Sequence, residues 1–282
     1  MIFWIASYPK NGNTWLRSLL SAYYFTKDGF YLDDAQLKNI EQFPQKKFFK
    51  KFNYKSDIAG ETSKFWIKAQ EIINLDKKAR FFKTHNFLGS LGGNSFTNIK
   101  NTIGAIYIVR DPRNVVTSIK NHFELDYDQA LKFMNNEKKF TYDNTKNNDY
   151  SDFQFISSWE KNYQSWIYNK YFPIKVVKYE ELEKETFYIF KDVINFIDKI
   201  FKNKSKFNKQ KAQNAVQSTS FSKLKKLENE KGFSESMISR DLKKKIPFFN
   251  LGPGNNWKKL DINFQNDLNK IFQKNLIELK YK

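Results

Sequence analysis

The chain has 282 residues, enough for one large α/β domain or two small ones, and no stretch rich in Gly, Ser and Pro divides it; we read a single domain over 1–282. It has no cysteine and only two histidines, His85 and His122, which excludes a disulfide framework, a thiol nucleophile and a cysteine metal site and argues against a zinc centre. The formal charge of +19 rests almost wholly on lysine, with arginine at positions 17, 80, 110, 113 and 240 alone; a solvated lysine surface is the first reading, and attraction of acidic ligands is what remains beyond it.

No run of 18 or more apolar residues is present, which argues against a membrane span. The apolar start lacks a basic n-region and is cut short by Lys10, so it does not read as a secretory signal, and a soluble cytoplasmic protein is expected.

In chain order, IFWIA at 2–6 reads as a buried strand running into a loop at Ser7, Tyr8 and Pro9. From Thr14 the apolar positions Trp15, Leu16, Leu19, Leu20 and Tyr23 follow helical spacing. Further strands are expected at 80–83, 103–109 and 174–177, and helices at about 113–124, 153–171, 183–200, 207–217 and 264–280. Such alternation predicts an α/β fold with a mainly parallel central sheet and helices on both faces. Residues 26–60 and 135–151 do not fit the alternation; as insertions near strand ends they are candidates for ligand contacts.

Three stretches carry chemistry. In YPKNGNTW at 8–15, a glycine after a buried strand permits a tight turn, and successive N–H groups ahead of a helix make a concave anion site. A plain strand-to-helix turn reads the same way on this stretch alone. It is not the ATP-binding loop, whose lysine follows a second glycine. In IYIVRDPRNVVTSIKNHF, Arg110 stands at a strand's carboxyl end and Ser118 lies eight residues on, so both could hold one phosphate; a surface pairing of Arg110 with Asp111 is the equal alternative. In FFKTHNFLG, His85 lies just past a strand, where ligands bind in this architecture, and imidazole suits proton transfer near neutral pH.

Taken together, these stretches resemble the cytosolic-type sulfotransferases that use 3′-phosphoadenosine-5′-phosphosulfate (PAPS), a P-loop nucleotide-kinase-like fold. YPKNGNTW is similar to that family's YPKSGTTW loop, with Asn11 and Asn13 as departures; Lys83-Thr84-His85 matches its K-T-H segment, and Arg110 with Ser118 its 3′-phosphate motif. Tyr179 in KYEEL, the Thr219-Ser220-Phe221 stretch and NLGPGNNWK at 250–258 resemble three further family segments. The last departs from RKGxxGDWK: Asn250 and Leu251 replace its Arg and Lys, and Asn255 its second glycine, while Gly252, Trp257 and Lys258 are retained. Arg240 or one of Lys243, Lys244 and Lys245 is expected to compensate.

The resemblance implies sulfuryl transfer from PAPS to a hydroxyl, releasing 3′,5′-adenosine bisphosphate (PAP), without a metal. It implies Lys10 at the oxygen that bridges sulfur and the 5′-phosphate, His85 as general base and Lys83 on the transferred sulfonate. It further implies Asn11, Gly12, Asn13 and Thr14 around the 5′-phosphate, Trp15 and Phe221 on adenine with Tyr179 at its edge, and Thr219, Leu251 and Gly252 in the nucleotide site. His122 reads as structural. A nucleotide kinase-like phosphotransferase and a non-catalytic nucleic-acid-binding protein are the rival readings, and no nucleic-acid partner is expected.

The acceptor is expected to be a sugar, lipid or phenol contacted from about 26–60, 86–100 and 123–152. Because the chain starts at its first strand, part of the acceptor pocket of animal relatives is expected to have no counterpart. A homodimer is possible, although the family's dimer motif is altered at Ile262 and Asn263.

Overall fold

In the computed structural model, residues 1–142, 148–203, 206–239 and 245–281 are described. Ile2–Ser7 (β1) is completely buried, as its unbroken apolar run requires of a central parallel strand. It pairs on one side with Arg80–Thr84 (β3) and on the other with Thr102–Val109 (β4), both parallel. Glu41–Gln42 (β2) adds to β3 and Ile174–Lys178 (β5) to β4, giving the all-parallel order β2-β3-β1-β4-β5.

Alternate residues of these strands feed two cores. Trp4, Ala6, Phe82, Tyr107 and Val109 face one layer, which holds Pro112–Phe123 (α2) and the helices Trp159–Ile167 and Ile262–Ile271. Phe3, Ile5, Phe81, Ile106, Ile108 and Val177 face the other, with Asn13–Phe25 (α1), Thr186–Phe201 and Lys209–Ser218. The expected α/β architecture, with helices on both faces, is therefore found.

Several boundaries differ. The helix expected over 153–171 occupies only Trp159–Ile167, because Gln154–Phe155 pairs antiparallel with Phe140–Thr141, and Ser158 caps the helix by accepting from the Lys161 amide. The stretch 183–200 is two helices, Tyr179–Lys184 (α3) and Thr186–Phe201, broken at Glu185, where φ is −131°. That expected at 264–280 likewise splits into Ile262–Ile271 and Gln273–Glu278. Trp66–Ile73, Tyr127–Asn135 and Phe221–Lys231 (α4) are helices without a counterpart in the sequence reading.

The register places the candidate site residues. Ser7 stands opposite Ile108, Ala6 opposite Thr84, and Val109 opposite Lys178. Lys10, His85, Arg110 and Tyr179 therefore leave neighbouring strands at the same carboxyl edge, where ligands bind in open α/β sheets.

Candidate active site

The chain leaves β1 through Tyr8 and Pro9, then enters the left-handed region at Lys10 (φ 66°) and Gly12 (φ 100°) before α1 begins. Glycine is needed at position 12 twice over: for that φ, and because a Cβ there would lie 2.5 Å from the Tyr179 ring. The N-terminus of α1 carries no side-chain cap and no acidic residue in its first turn, so its leading amides and positive dipole end are left for an anion. The Lys10 ammonium sits 3.8 Å from the centre of the Phe248 ring. Burial lowers its pKa to about 7, with Glu235 opposing the fall and Arg110 and Lys83 adding to it.

His85 follows β3. Its Nδ1 lies 2.8 Å from the Ser7 carbonyl oxygen and 3.2 Å from Ser7 Oγ. A carbonyl can only accept, so Nδ1 carries the hydrogen and Nε2 keeps its lone pair. Burial, then the charge of Lys83, lowers the histidine pKa to about 3, so the ring is neutral at physiological pH. Its backbone is fixed too: the His85 amide donates to Gln154 Oε1 (2.8 Å) and its carbonyl accepts from Asn162 Nδ2 (3.0 Å).

After β4, Arg110 lies 4.1 Å from the centre of the Tyr179 ring and its Nη1 is 3.5 Å from Ser118 Oγ. The alternative pairing with Asp111 is not made: Asp111 caps α2 at the Arg113 amide and forms its ion pair with the Arg113 guanidinium, 2.7 Å away. Ser118 Oγ also accepts from Asn255 Nδ2 (2.9 Å), which donates again to the Asn114 carbonyl (2.8 Å); Asn114 Oδ1 in turn accepts from the Trp257 amide (2.8 Å). Asn255, a departure from the family segment, thus fastens 250–258 onto α2. A Cβ on Gly252 would lie 2.3 Å from the Phe221 ring, so only glycine lets this segment lie against that aromatic face.

One cavity of about 490 Å³ is lined by Lys10, Gly12, Asn13, Thr14, Trp15, Lys83, His85, Arg110, Ser118, Tyr179, Phe221, Leu251 and Gly252. Two expected residues are not on its wall. The Asn11 side chain is completely buried among other groups, and Thr219 is buried with Oγ1 donating to the Ala215 carbonyl, a bond within its helix turn. Asn13 reaches the wall, but its Nδ2 donates inward to the Ile5 carbonyl (3.0 Å) and Ser7 Oγ (3.2 Å), which removes it as a side-chain donor to a ligand. His122, read as structural, lies on the wall, edge-on to Phe248 at 5.8 Å. Arg240, Lys243 and Lys244 lie outside the described residues, and Lys245 pairs antiparallel with Ile238 and does not line the cavity.

Sequence reasoning missed Glu235. Its carboxylate accepts from Thr14 Oγ1 (2.7 Å), Arg17 Nη1 (2.6 Å) and Lys83 Nζ (3.1 Å). Nothing in a single acidic residue within a polar loop signals that contact, which spans 221 positions of chain between Thr14 and Glu235.

The donor set fits a nucleotide with phosphate at both ends. The wall offers a cationic helix N-terminus and an arginine, both beside the Tyr179 ring, together with the aromatic rings of Trp15 and Phe221. Trp15 Nε1 and Arg110 Nε are buried without a hydrogen-bond partner, donors that an incoming acceptor would satisfy.

Comparison with known proteins gives the family and the fold. The sulfotransferase domain family model matches residues 2–280, and the chain belongs to that family. Luciferin sulfotransferase of Photinus pyralis is 25% identical over 234 residues, covering 78% of this chain; the match spans 56% of that relative's length. Among solved structures, mouse sulfotransferase SULT7A1 complexed with PAP superposes with a TM-score of 0.55 at 16% identity, covering 98% of this chain and 84% of that one. Retinol dehydratase in complex with androsterone and inactive cofactor PAP gives 0.52 at 16% identity, covering 98% and 80%. At these identities the structures share the fold.

Proposed function

We propose that the protein transfers a sulfuryl group from PAPS to the hydroxyl of a small-molecule, glycan or lipid acceptor, leaving PAP. The observation that carries this reading is His85: its Nδ1–H is committed to the Ser7 carbonyl, so a neutral ring offers Nε2 in the same cavity as Lys10 and Lys83. When bound, PAPS supplies the activated sulfuryl group; everything else is done by side chains and backbone groups of this protein.

Nε2 of His85 takes the proton of the acceptor hydroxyl, and the Ser7 carbonyl stabilises the imidazolium that forms. The pKa near 3 reflects burial beside Lys83, and further negative charge placed near Lys83 raises the ring's basicity when it is needed. Lys10 holds positive charge where the leaving phosphate is expected, and Lys83 does the same for the transferred sulfonate. Thr14 and the Gly12 amide face the 5′-phosphate, Arg110 and Ser118 the 3′-phosphate. Trp15 and Phe221 hold adenine, Tyr179 closes its edge, and Leu251 and Gly252 lie over the nucleotide. Asn13 acts indirectly, by fixing Ser7 and hence His85.

The test is incubation with isotopically labelled PAPS and a panel of sugars, lipids and phenols, read by mass shift. Labelled product with wild type and none with His85→Ala is expected. Product formation at the wild-type rate by His85→Ala would remove histidine from the role, and Mg²⁺-dependent consumption of ATP would favour a phosphotransferase instead.

A further inference from the structure

The cradle that should receive the 5′ end of the nucleotide already holds an anion, the protein's own. Glu235 is carried on the segment between α4 and the Met237–Ile238 strand, and its carboxylate reaches across the cavity wall to the first turn of α1. There it receives the only hydroxyl hydrogen of Thr14 and shares Oε1 between Arg17 and Lys83, while its side chain keeps 23% of its surface exposed. Burial alone would raise its pKa, but Lys83 and Arg17 hold it well below the usual carboxylate range, so the negative charge persists at any working pH. Arg17 is anchored independently by the carbonyls of Leu37 (3.3 Å) and Ile40 (3.0 Å), so the pair is a built feature and not a loose surface contact.

On the sulfotransferase reading, we infer that Glu235 sets the donor-to-product preference of this site: it competes with the 5′-phosphate for the Thr14 hydroxyl, and does so more strongly against PAP than against PAPS. The asymmetry comes from charge. In PAPS the phosphorus bears one negative charge, with the other displaced onto the sulfonate. After transfer the 5′-phosphate is a monoester, with a second pKa of about 6, and is largely a dianion at neutral pH. A fixed carboxylate beside that phosphate repels the product more than the donor, so Glu235 favours product release, a step that limits turnover in many enzymes.

The test is calorimetric titration of PAP and, without acceptor, of PAPS, into wild type, Glu235→Gln and Glu235→Asp. The glutamine keeps an acceptor for Thr14 without the charge; the aspartate keeps the charge for Arg17 but is one methylene short of Thr14. Both variants are expected to bind PAP more tightly, Glu235→Gln by tenfold or more and Glu235→Asp by less, while PAPS affinity rises by at most a few-fold. Unchanged or weaker PAP binding in a folded variant, or equal tightening of both nucleotides, would overturn the inference. A wild-type readout stands beside these: in a crystal of the PAP complex the 2.7 Å contact between Thr14 and Glu235 should be broken, and its persistence would also overturn the inference. Wild type that binds neither nucleotide would instead refute the sulfotransferase reading itself.

Discussion

On the proposed reading, two groups of residues on the cavity wall solve the same problem, holding a phosphate, with opposite means. At the 5′ end three cations, Lys10, Lys83 and Arg17, crowd a helix N-terminus and are partly neutralised by Glu235. At the 3′ end, among the described residues, Arg110 is the one cation on the wall beyond that cluster; Ser118, Asn255 and Tyr179 beside it are neutral, while the carboxylates of Glu183, on the wall next to Tyr179, and of buried Glu180 stand nearby without a salt bridge to Arg110. An end that must bind and then release a changing charge benefits from an opposing carboxylate. An end that only anchors needs no carboxylate bonded to its cation, and directional neutral donors around one guanidinium suffice there.

That contrast can be broken in order of expected effect. His85→Ala should lower turnover by about a hundredfold to ten-thousandfold while PAP affinity, by calorimetry, stays near wild type. A parallel loss of binding would mean that the ring shapes the 5′ end instead of moving a proton. Arg110→Ala should weaken PAP by roughly tenfold to a hundredfold, the range for a charged hydrogen bond, yet leave adenosine 5′-phosphosulfate, which lacks the 3′-phosphate, nearly unaffected. Equal losses for both nucleotides would remove the division between the ends.

The 5′ end should also show a pH signature that the 3′ end lacks. The free-site pKa of Lys10 is about 7, depressed by burial, and an anion brought beside it raises that value. Above pH 7, PAP binding should therefore take up a proton, and affinity should fall by up to about tenfold per pH unit until the raised pKa is reached. Titration in buffers of different ionisation enthalpy measures this directly, and no uptake at pH 8 would contradict it. Lys10→Met should abolish the uptake and leave the Arg110 dependence intact. The smallest effect is expected at Asn255→Ala, a few-fold weakening of PAP, because two neutral hydrogen bonds of about 1 kcal/mol each tie the 250–258 segment to α2.

What the sequence disclosed follows the same division. β1 and β4 were legible because buried parallel strands are continuous apolar runs, β3 and the edge strand β5 because of the shorter apolar pairs Phe81-Phe82 and Val176-Val177, and the four carboxyl ends carry Lys10, His85, Arg110 and Tyr179 in short motifs. β2 was not, since Glu41–Gln42 is two polar residues given strand geometry solely by pairing with β3. The asparagines of the loop showed the limit of reading side chains from a motif. Asn11 and Asn13 looked like ligand donors by position, yet one side chain is sealed in the interior and the other turns back to Ile5 and Ser7. Glu235 and Asn255 were invisible for a different reason: their importance lies in partners 221 and 137 positions away, and no local pattern encodes such a contact.

The most direct test of the central claim is a calorimetric titration of the protein with PAP, set against ADP with Mg²⁺ and against PAP's analogue without the 3′-phosphate. One-to-one, metal-independent binding of PAP, far tighter than of either competitor, is the predicted result. Indifference to the 3′-phosphate, or preference for Mg²⁺-ADP, would contradict it.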